Sequence, residues 1–176
     1  YTVNGILFYY DEYTDQTTLV RCPTKKTIRE YTIPENVTTL GTSAFKGNVS
    51  LKTITMPDGL ISIDNRAFNG CTGLTTLSIP DTVTSIGEYA FENCTSLTYA
   101  YLGKALNSIG FRGFRYCSNI STITVPDALT SVYDSFENTN IKKVILPATV
   151  TYFNGTIRDL ASISIFESEN TGTVGY

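Results

Sequence analysis

The chain has 176 residues, of which 41% are apolar and 16% are charged, a composition typical of a globular domain and not of a disordered chain. Its formal net charge of −3 and pI near 4.9 provide no clustered excess of lysine and arginine, so no nucleic-acid partner is expected. No apolar run approaches the roughly 20 residues of a membrane-spanning helix, so no membrane insertion is expected of these residues.

The N-terminal segment is predicted to form a cap. The chain begins at Tyr1 and its single methionine is Met56, so we expect a mature form or an excised fragment that lacks the native start. Residues 4–23, NGILFYYDEYTDQTTLVRCP, have the pattern of a β-hairpin. We therefore predict a hairpin cap over residues 1–27, which would cover a sheet edge that otherwise invites aggregation.

From residue 28 onward, a unit of 23 residues recurs. Its prolines keep this spacing at Pro34, Pro57 and Pro80. Its phenylalanines keep it at Phe45, Phe68, Phe91 and Phe114. The first apolar residue of each unit marks the repeats: Ile28, Leu51, Leu74, Leu97, Ile120, Ile141 and Leu160. A fixed period of this length is the signature of stacked architectures, and it predicts about six coils and a closing strand.

The third unit, LTTLSIPDTVTSIGEYAFENCTS (residues 74–96), shows how one coil is predicted to be built. Leu77 and Ile79 alternate with polar residues, which is the period of a short strand with one buried face. A Pro-Asp pair then ends the strand, because proline cannot donate to a ladder. After this corner, Val83 and Ile86 supply a second inward pair.

Two further positions complete the coil. A glycine follows the second apolar pair at Gly41, Gly87 and Gly110, where we expect a positive φ. An Ala-Phe pair, as in Ala90-Phe91, then directs a large ring inward from a short helical or 3₁₀ segment. One unit cannot bury its own apolar edge, whereas stacked units share a continuous core with strands about 4.8 Å apart. The sequence therefore predicts a mainly β repeat solenoid.

The skeleton LxxIxIPxxVxxIGxxAFxxCxx, present here as LTTLSIPDTVTSIGEYAFENCTS, resembles the BspA-like leucine-rich repeat. That family is found mainly in surface and secreted proteins of host-associated bacteria and some protozoan parasites, and the hairpin is similar to the segment that often precedes its repeats. The resemblance implies a right-handed leucine-rich-repeat solenoid over residues 28–166 and a tail over residues 167–176. Gly103 and Lys104 depart from the pattern in place of Pro-Asp, and the fifth repeat is short.

No catalytic, cofactor or metal site is expected. The chain has no histidine, which removes Ser-His and Cys-His pairs and the commonest metal ligand. Asp58, Asp81 and Asp127 share one column, but paired-carboxylate hydrolysis needs two acids facing each other across a sugar in a concave pocket. We interpret them as turn residues, with a weak cation site and catalysis as the alternatives. Lys104 interrupts the row and relieves like-charge repulsion.

The cysteines are interpreted as free, buried thiols. Cys71, Cys94 and Cys117 lie 23 residues apart, so stacking would point them in the same direction and leave one unpaired, and CxxC spacing is absent. Asn48 and Thr139 occupy the same column in other repeats. Cys22 lies in the cap and is expected to react sooner than the other three.

Five Asn-x-Ser/Thr tripeptides resemble glycosylation acceptors. They begin at Asn36, Asn48, Asn93, Asn119 and Asn154. Corners of this repeat are built from Asn, Ser and Thr for turn reasons, so we interpret the tripeptides as by-products of turn composition, with glycosylation as the alternative.

The candidate binding surface is the outward face of the predicted strands. Threonine and serine there satisfy strand propensity and solubility, whereas Tyr99, Tyr101 and Ile145 place apolar area where the fold does not need it. Tyrosine is a favoured anchor in protein recognition, and Lys142 and Lys143 add a positive rim. The alternative is cross-strand packing of the tyrosines on neighbouring threonines. The predicted ligand-binding residues are Thr76, Ser78, Tyr99, Tyr101, Thr122, Thr124, Lys143 and Ile145.

Three function classes fit these features. The resemblance implies a non-catalytic, monomeric module, extracellular or at the cell surface, that binds extracellular or cell-surface proteins such as host or matrix components. The second class is a structural spacer of a larger surface protein, with no ligand of its own. The third is an accessory domain of an enzyme. A concentrated aromatic patch favours the first class, and a uniform Thr/Ser face favours the second.

Overall fold

The computed structural model describes residues 1–24, 27–129, 131–132, 134–141, 143–146 and 165–168. For residues 131–132, 143–146 and 165–168 it describes the backbone alone. These residues form a mainly β solenoid, and none of them lies in a helix. The four coils from residue 28 to residue 119 are described in full, and the sixth predicted coil lies mostly outside the described residues.

The N-terminal hairpin is confirmed. Strand β1 (Thr2–Val3) pairs antiparallel with β2 (Ile6–Asp11), which pairs antiparallel with β3 (Gln16–Arg21). Asn4 and Gly5 have φ values of 50° and 77°, which give β1 and β2 the two-residue turn that suits the twist of a hairpin. Because β3 also pairs with the first coil, the cap continues a sheet of the solenoid.

Each of the first five coils contributes two short strands. The first strand of each coil, which we call the front strand, occurs at β4 (Glu30–Thr32), β6 (Thr53–Thr55), β8 (Thr76–Ser78), β10 (Tyr99–Tyr101), β12 (Thr122–Thr124) and β14 (Lys143–Leu146). The second, the back strand, occurs at β5 (Val37–Leu40), β7 (Ser62–Ile63), β9 (Ser85–Ile86), β11 (Ser108–Ile109) and β13 (Ser131–Val132). The front strands match the prediction. The back strands lie where the sequence predicted only a corner with an inward apolar pair.

The back strands form the more continuous sheet. Its eight strands have the order β1-β2-β3-β5-β7-β9-β11-β13, and all pairs beyond β3 are parallel. The front strands pair in shorter groups, β4 with β6, β8 with β10, and β12 with β14, which also pairs with β15 (Ile165–Ser168). Strand β15 runs two residues past the predicted end of the solenoid at residue 166, and residues 169–176 of the predicted tail lie outside the described residues.

The segments that connect a back strand to the next front strand are turns, so the predicted helical or 3₁₀ segments are wrong. We call residues 41–50, 64–73, 87–96 and 110–119 the turn segments. In each of them, two residues four apart have positive φ: Ser43 and Gly47, Arg66 and Gly70, Tyr89 and Asn93, Arg112 and Tyr116. A left-handed residue every fourth position interrupts a helix before it can propagate. Single turns remain, such as that closed by Ala67 N–H donating to Asp64 O at 3.2 Å.

A column of stacked phenylalanine rings fills the core. Phe45, Phe68, Phe91, Phe114 and Phe136 are all buried, and successive ring centroids lie 5.1, 5.1, 4.8 and 5.5 Å apart at interplanar angles of 2–17°. The backbone follows the same step, because Phe68 N–H donates to Ala90 O at 2.7 Å and Phe91 N–H to Gly113 O at 2.7 Å. The predicted ring column is therefore confirmed.

The glycines after the back strands have a different role from the one predicted. Gly41, Gly87 and Gly110 do not have positive φ. A Cβ on Gly87 would lie 2.5 Å from the backbone nitrogen of Asn65, and one on Gly110 would lie 2.6 Å from that of Glu88. At Gly87 and Gly110, glycine is required because the backbone of the preceding coil approaches too closely for any side chain. Gly41 is less crowded, since its Cβ would meet Thr18 and Leu19 at 3.1 and 3.2 Å.

The fifth repeat is two residues short, since Thr122 pairs with Lys143, and the first of these residues is lost just after its back strand. Ser108 pairs with Ser131, which keeps the step of 23 residues. The hydrogen bond from Phe114 N–H to Ser135 O then spans one residue fewer than its counterpart from Phe91 to Gly113. The hydroxyl of buried Ser135 donates to Gly110 O at 3.1 Å. The ring column and the front strands thus continue across the shortened turn, because Phe136 stacks on Phe114 and β14 pairs with β12.

Replacing Phe91 by alanine tests the ring column. The change removes a buried ring that stacks on two neighbours, so we expect it to lower the free energy of unfolding by roughly 3–5 kcal/mol. Thermal melting measures this loss, with Tyr13→Ala, at a hairpin side chain that is 92% exposed, as the control. A Phe91→Ala melt indistinguishable from that of the control would contradict the stacked core.

Replacing Gly87 by alanine tests close packing between coils. The new Cβ meets backbone at 2.5 Å, so we expect a loss of roughly 1–3 kcal/mol in stability, as for other overpacked sites. The matched control is Gly59→Ala, whose Cβ would meet its nearest atom, Glu35 O, at 3.6 Å. That change should be neutral or stabilise by about 0.4–1 kcal/mol. Equal effects in urea unfolding of the two variants would contradict the packing argument.

Candidate interaction surfaces

The front strands present the predicted outward residues to solvent. Inward positions Leu77, Ala100 and Ile123 are buried, and the alternate positions Thr76, Ser78, Tyr99, Thr122 and Thr124 are exposed, with Tyr101 half-buried. Tyr99 pairs with Thr76, and Tyr101 pairs with Ser78. Tyr99 is 55% exposed, so its ring offers apolar area that the core does not use.

Tyr101 is held by a polar contact that the sequence did not predict. Its hydroxyl donates to Asp81 Oδ1 at 2.7 Å, and the backbone N–H of Lys104 donates to the same oxygen at 3.1 Å. Lys104 Nζ lies 3.1 Å from Asp81 Oδ2. These donors, first the Tyr101 hydroxyl and then Lys104, lower the pKa of Asp81, and the carboxylate raises the pKa of Tyr101 and Lys104. The lysine that was expected to interrupt the acidic row therefore neutralises its neighbour directly.

An open cleft of about 370 Å³ lies beside this contact. Its lining includes Asp58, Ser78, Asp81, Thr82 and Tyr101. The Thr82 hydroxyl bonds the backbone oxygens of Asp58 and Leu60 at 2.6 and 2.7 Å, so Asp58 takes part in the turn through its backbone. Within the described ranges, no three Cys, Asp or Glu side chains gather as a metal site, and no helix there is long enough to cross a membrane.

The predicted rim is placed only in part. Strand β14 pairs with β12 so that Lys143 lies beside Thr122, and Ile145 beside Thr124. Both residues therefore occupy outward register positions two coils from Tyr99. Their side chains and all of Lys142 lie outside the described residues.

The cysteine column is buried, as predicted. Each thiol donates to the phenylalanine carbonyl of the preceding coil: Cys71 to Phe45 at 3.1 Å, Cys94 to Phe68 at 3.3 Å and Cys117 to Phe91 at 3.2 Å. At the ends of the column, Asn48 Nδ2 donates to Cys22 O and Phe45 O, while the Thr139 hydroxyl donates to Phe136 O. A side-chain donor is thus common to all five positions. Cys22 is also buried, so the expectation that it reacts sooner than the others loses its basis.

The five Asn-x-Ser/Thr tripeptides differ in the solvent exposure of their asparagine. Asn36 and Asn119 are exposed, Asn93 is half-buried, and Asn154 lies outside the described residues. Asn48 is buried, with its amide bonded to two backbone oxygens. A glycan at Asn48 is incompatible with the folded coil.

The cap carries exposed aromatic residues that were not predicted from its sequence. Tyr1, Tyr9, Tyr10 and Tyr13 are between 48% and 92% exposed. Tyr10 is tethered by its hydroxyl, which donates to Asp15 at 2.9 Å. The high density of tyrosine in YTVNGILFYYDEYT could have indicated these exposed residues. In particular, the alternation of a strand with Ile6 and Phe8 inward predicts that Tyr9 points outward.

The stacked parallel coils, with their repeated phenylalanine and cysteine columns, are those of a leucine-rich-repeat solenoid. A family model described as the BspA type leucine-rich repeat region, in six copies, matches residues 38–158. The chain belongs to this family, which confirms the resemblance found in the sequence. No match was found among curated protein sequences.

Solved structures share the fold. A leucine-rich repeat protein of T. pallidum, TpLRR, aligns with a TM-score of 0.78 at 21% identity, over 93% of this chain and 80% of its own. A leucine-rich cell surface protein of Faecalibacterium prausnitzii gives 0.62 at 20% identity over 96% of this chain. The pneumococcal vaccine antigen PcpA gives 0.65 at 23% identity over 76%. The chain spans only 39% and 35% of the last two proteins.

The thiols provide a test of the buried column. Burial raises the pKa of the Cys71 thiol to about 12 and raises that of Cys94 well above its usual value. Because the thiolate is the reactive form, we expect Ellman's reagent at pH 8 to label none of the four cysteines in the native protein and all four in denaturant. Rapid labelling of the native protein, or a native mass two hydrogens lower, would contradict this arrangement.

Proposed function

We propose that this chain is a non-catalytic protein-binding module, and that its front strands around Tyr99 contact the partner. The observation that carries this proposal is the exposed Tyr99 ring on a front strand whose neighbours β6, β8 and β12 present only threonine and serine outward. A tyrosine gives large contact area at low entropic cost, and here no core contact requires it. The cleft beside Tyr101 adds a concave edge to the same face.

The Tyr101–Asp81–Lys104 contact supports a preorganised surface. Two donors converge on one Asp81 oxygen, so the Tyr101 ring is fixed before a ligand arrives. A side chain that is already ordered loses less conformational entropy on binding. Tyr99 is the more exposed of the two anchors. Tyr101 offers the partner the edge of its ring, because its hydroxyl already donates to Asp81.

A location outside the cell or at its surface is part of the proposal. The family resemblance supports it, as do two structural relatives, one described as a cell surface protein and the other as a vaccine antigen. We infer that the partners are extracellular or cell-surface proteins and that the module acts as a monomer. A spacer role is the second candidate, because outward positions Thr53, Thr55, Thr122 and Thr124 present a uniform, bland surface.

Restoring consensus residues to β10 tests the proposed surface. We expect the double change Tyr99→Ser and Tyr101→Thr to weaken binding to an immobilised extracellular-matrix protein by about 2 kcal/mol or more, as for hot-spot tyrosines. The melting temperature should remain nearly unchanged, since both changes restore residue types found in neighbouring coils. Surface plasmon resonance over a panel of matrix proteins provides the measurement.

Two comparisons sharpen this test. Tyr99→Ser alone leaves the Tyr101–Asp81 contact intact and should account for most of the loss, whereas Tyr13→Ser in the cap should have no effect. A matrix ligand whose affinity ignores the double change would refute the front-strand site. Absence of binding across the panel would favour the spacer role.

A further inference from the structure

A second set of aromatic and charged residues lies on the turn segments. Arg66, Tyr89, Phe111 and Arg112 form a continuous arginine–aromatic stack. The Arg66 guanidinium carbon lies 4.7 Å from the centroid of Tyr89, Tyr89 meets Phe111 edge-to-face at 5.6 Å, and the Arg112 guanidinium lies 4.5 Å from the centroid of Phe111. The stack extends over neighbouring coils, away from the outward positions of the front strands.

The backbone does not favour these residues. Arg66, Tyr89 and Arg112 have φ values of 58°, 56° and 57°, in the left-handed region where large side chains are uncommon and glycine, asparagine and aspartate are preferred. Ser43 and Asp134 occupy the same column with φ of 61° and 45°. Short polar side chains therefore satisfy the fold at this position, and the long ones in the central coils are an addition to it.

Phe111 departs from its own column in the same way. Its counterparts one, two and three coils earlier are Glu88, Asn65 and Thr42, all polar. Phe111 is only half-buried, so its ring does not belong to the core column of Phe114. The stack thus combines strained and non-consensus residues in adjacent coils, a combination that points to selection for something other than folding.

The charges of the stack differ from one end to the other. Arg112 Nε lies 3.2 Å from Glu137 Oε2. Arg115 bridges two glutamates, because its Nε lies 2.7 Å from Glu137 Oε2 and its Nη1 lies 3.5 Å from Glu92 Oε1. Among the residues whose positions are described, Arg66 makes no ion pair, and it is exposed. A guanidinium that stacks on a ring keeps its N–H donors at its edge, where they fit a carboxylate in a bidentate pair.

We propose that the arginine–aromatic stack is a second binding surface, which takes a peptide segment with a single carboxylate beside an aromatic side chain. The carboxylate pairs with Arg66, and the aromatic side chain packs against Tyr89 and Phe111. A dense polyanion fits less well, because exposed Glu88 lies next to Tyr89 in the chain and the other two arginines, Arg112 and Arg115, are already paired with glutamates. This surface is separate from the front-strand site and does not depend on it.

A labelled peptide tests the proposal. The probe is a C-terminally amidated Gly/Ser peptide with one glutamate between two phenylalanines and an uncharged fluorescent label, and the matched probe has glutamine in place of glutamate. We expect anisotropy titration to give a Kd below about 1 mM for the first peptide. The glutamine peptide should bind about tenfold more weakly, which corresponds to the loss of a charge-assisted pair.

Two variants separate binding from folding. Arg66→Asn and Tyr89→Asn each place a residue that suits positive φ, so we expect an unchanged or raised melting temperature together with about tenfold weaker binding. Lys52→Gln, which removes an exposed charge elsewhere, should bind the glutamate peptide as the unaltered chain does.

The same titrations define what would overturn the proposal. It fails if the glutamate peptide does not bind the chain at millimolar concentration. It also fails if the chain binds the glutamine probe as tightly as the glutamate probe, and both asparagine variants bind the glutamate probe as tightly as the unaltered chain does. It also fails if a heparin fragment binds through Arg66 more tightly than the peptide does, since the surface would then recognise polyanions. A fall in melting temperature for Tyr89→Asn without loss of binding would make the stack a structural element only.

Discussion

The whole structure depends on the hydrogen-bonded spacing of parallel backbone, about 4.8 Å from one coil to the next. Every side chain that recurs in the repeat must fit against its own copy at that distance. Flat rings do so by stacking, and the phenylalanine centroids lie 4.8–5.5 Å apart. Small donors do so by bonding the carbonyl one coil away, as Cys94 does with Phe68. Where the approach is closest, at Gly103 and Gly73, a Cβ would lie 2.0 and 2.3 Å from a carbonyl oxygen of the preceding coil, so no side chain fits at all.

Much of this could be predicted from the sequence, because the repeat itself reports which residues are equivalent. The front strands, the ring column, the buried thiols and the cap hairpin all follow from spacing and alternation. The back strands do not, because a two-residue strand such as Ser85–Ile86 is too short to show a period of two. The role of Gly87 was misjudged for another reason: positive φ and close packing both select glycine, and the sequence alone does not separate them.

The candidate surfaces were predictable only where a residue breaks its column. Tyr99 stood out against Thr76 and Thr122, and the structure exposes it. The fixing of Tyr101 by Asp81 was not foreseen, because the two residues are 20 apart in sequence and meet only through the coil register. Phe111 also breaks a polar column, but the stack around it was not predicted, because the positive φ of Arg66, Tyr89 and Arg112 is not visible in the sequence pattern.

The constant register of the back sheet has a consequence for how such a chain can lengthen. Ser62 pairs with Ser85, and Ser85 with Ser108, through the same atoms each time. An in-frame duplication or deletion of one 23-residue unit would therefore regenerate the backbone pairing of the back sheet at its boundaries. Such a change would move the Tyr99 surface relative to the cap by about 5 Å without redesigning either. The gene could thus vary the reach of the module in discrete steps, independently of what the module binds.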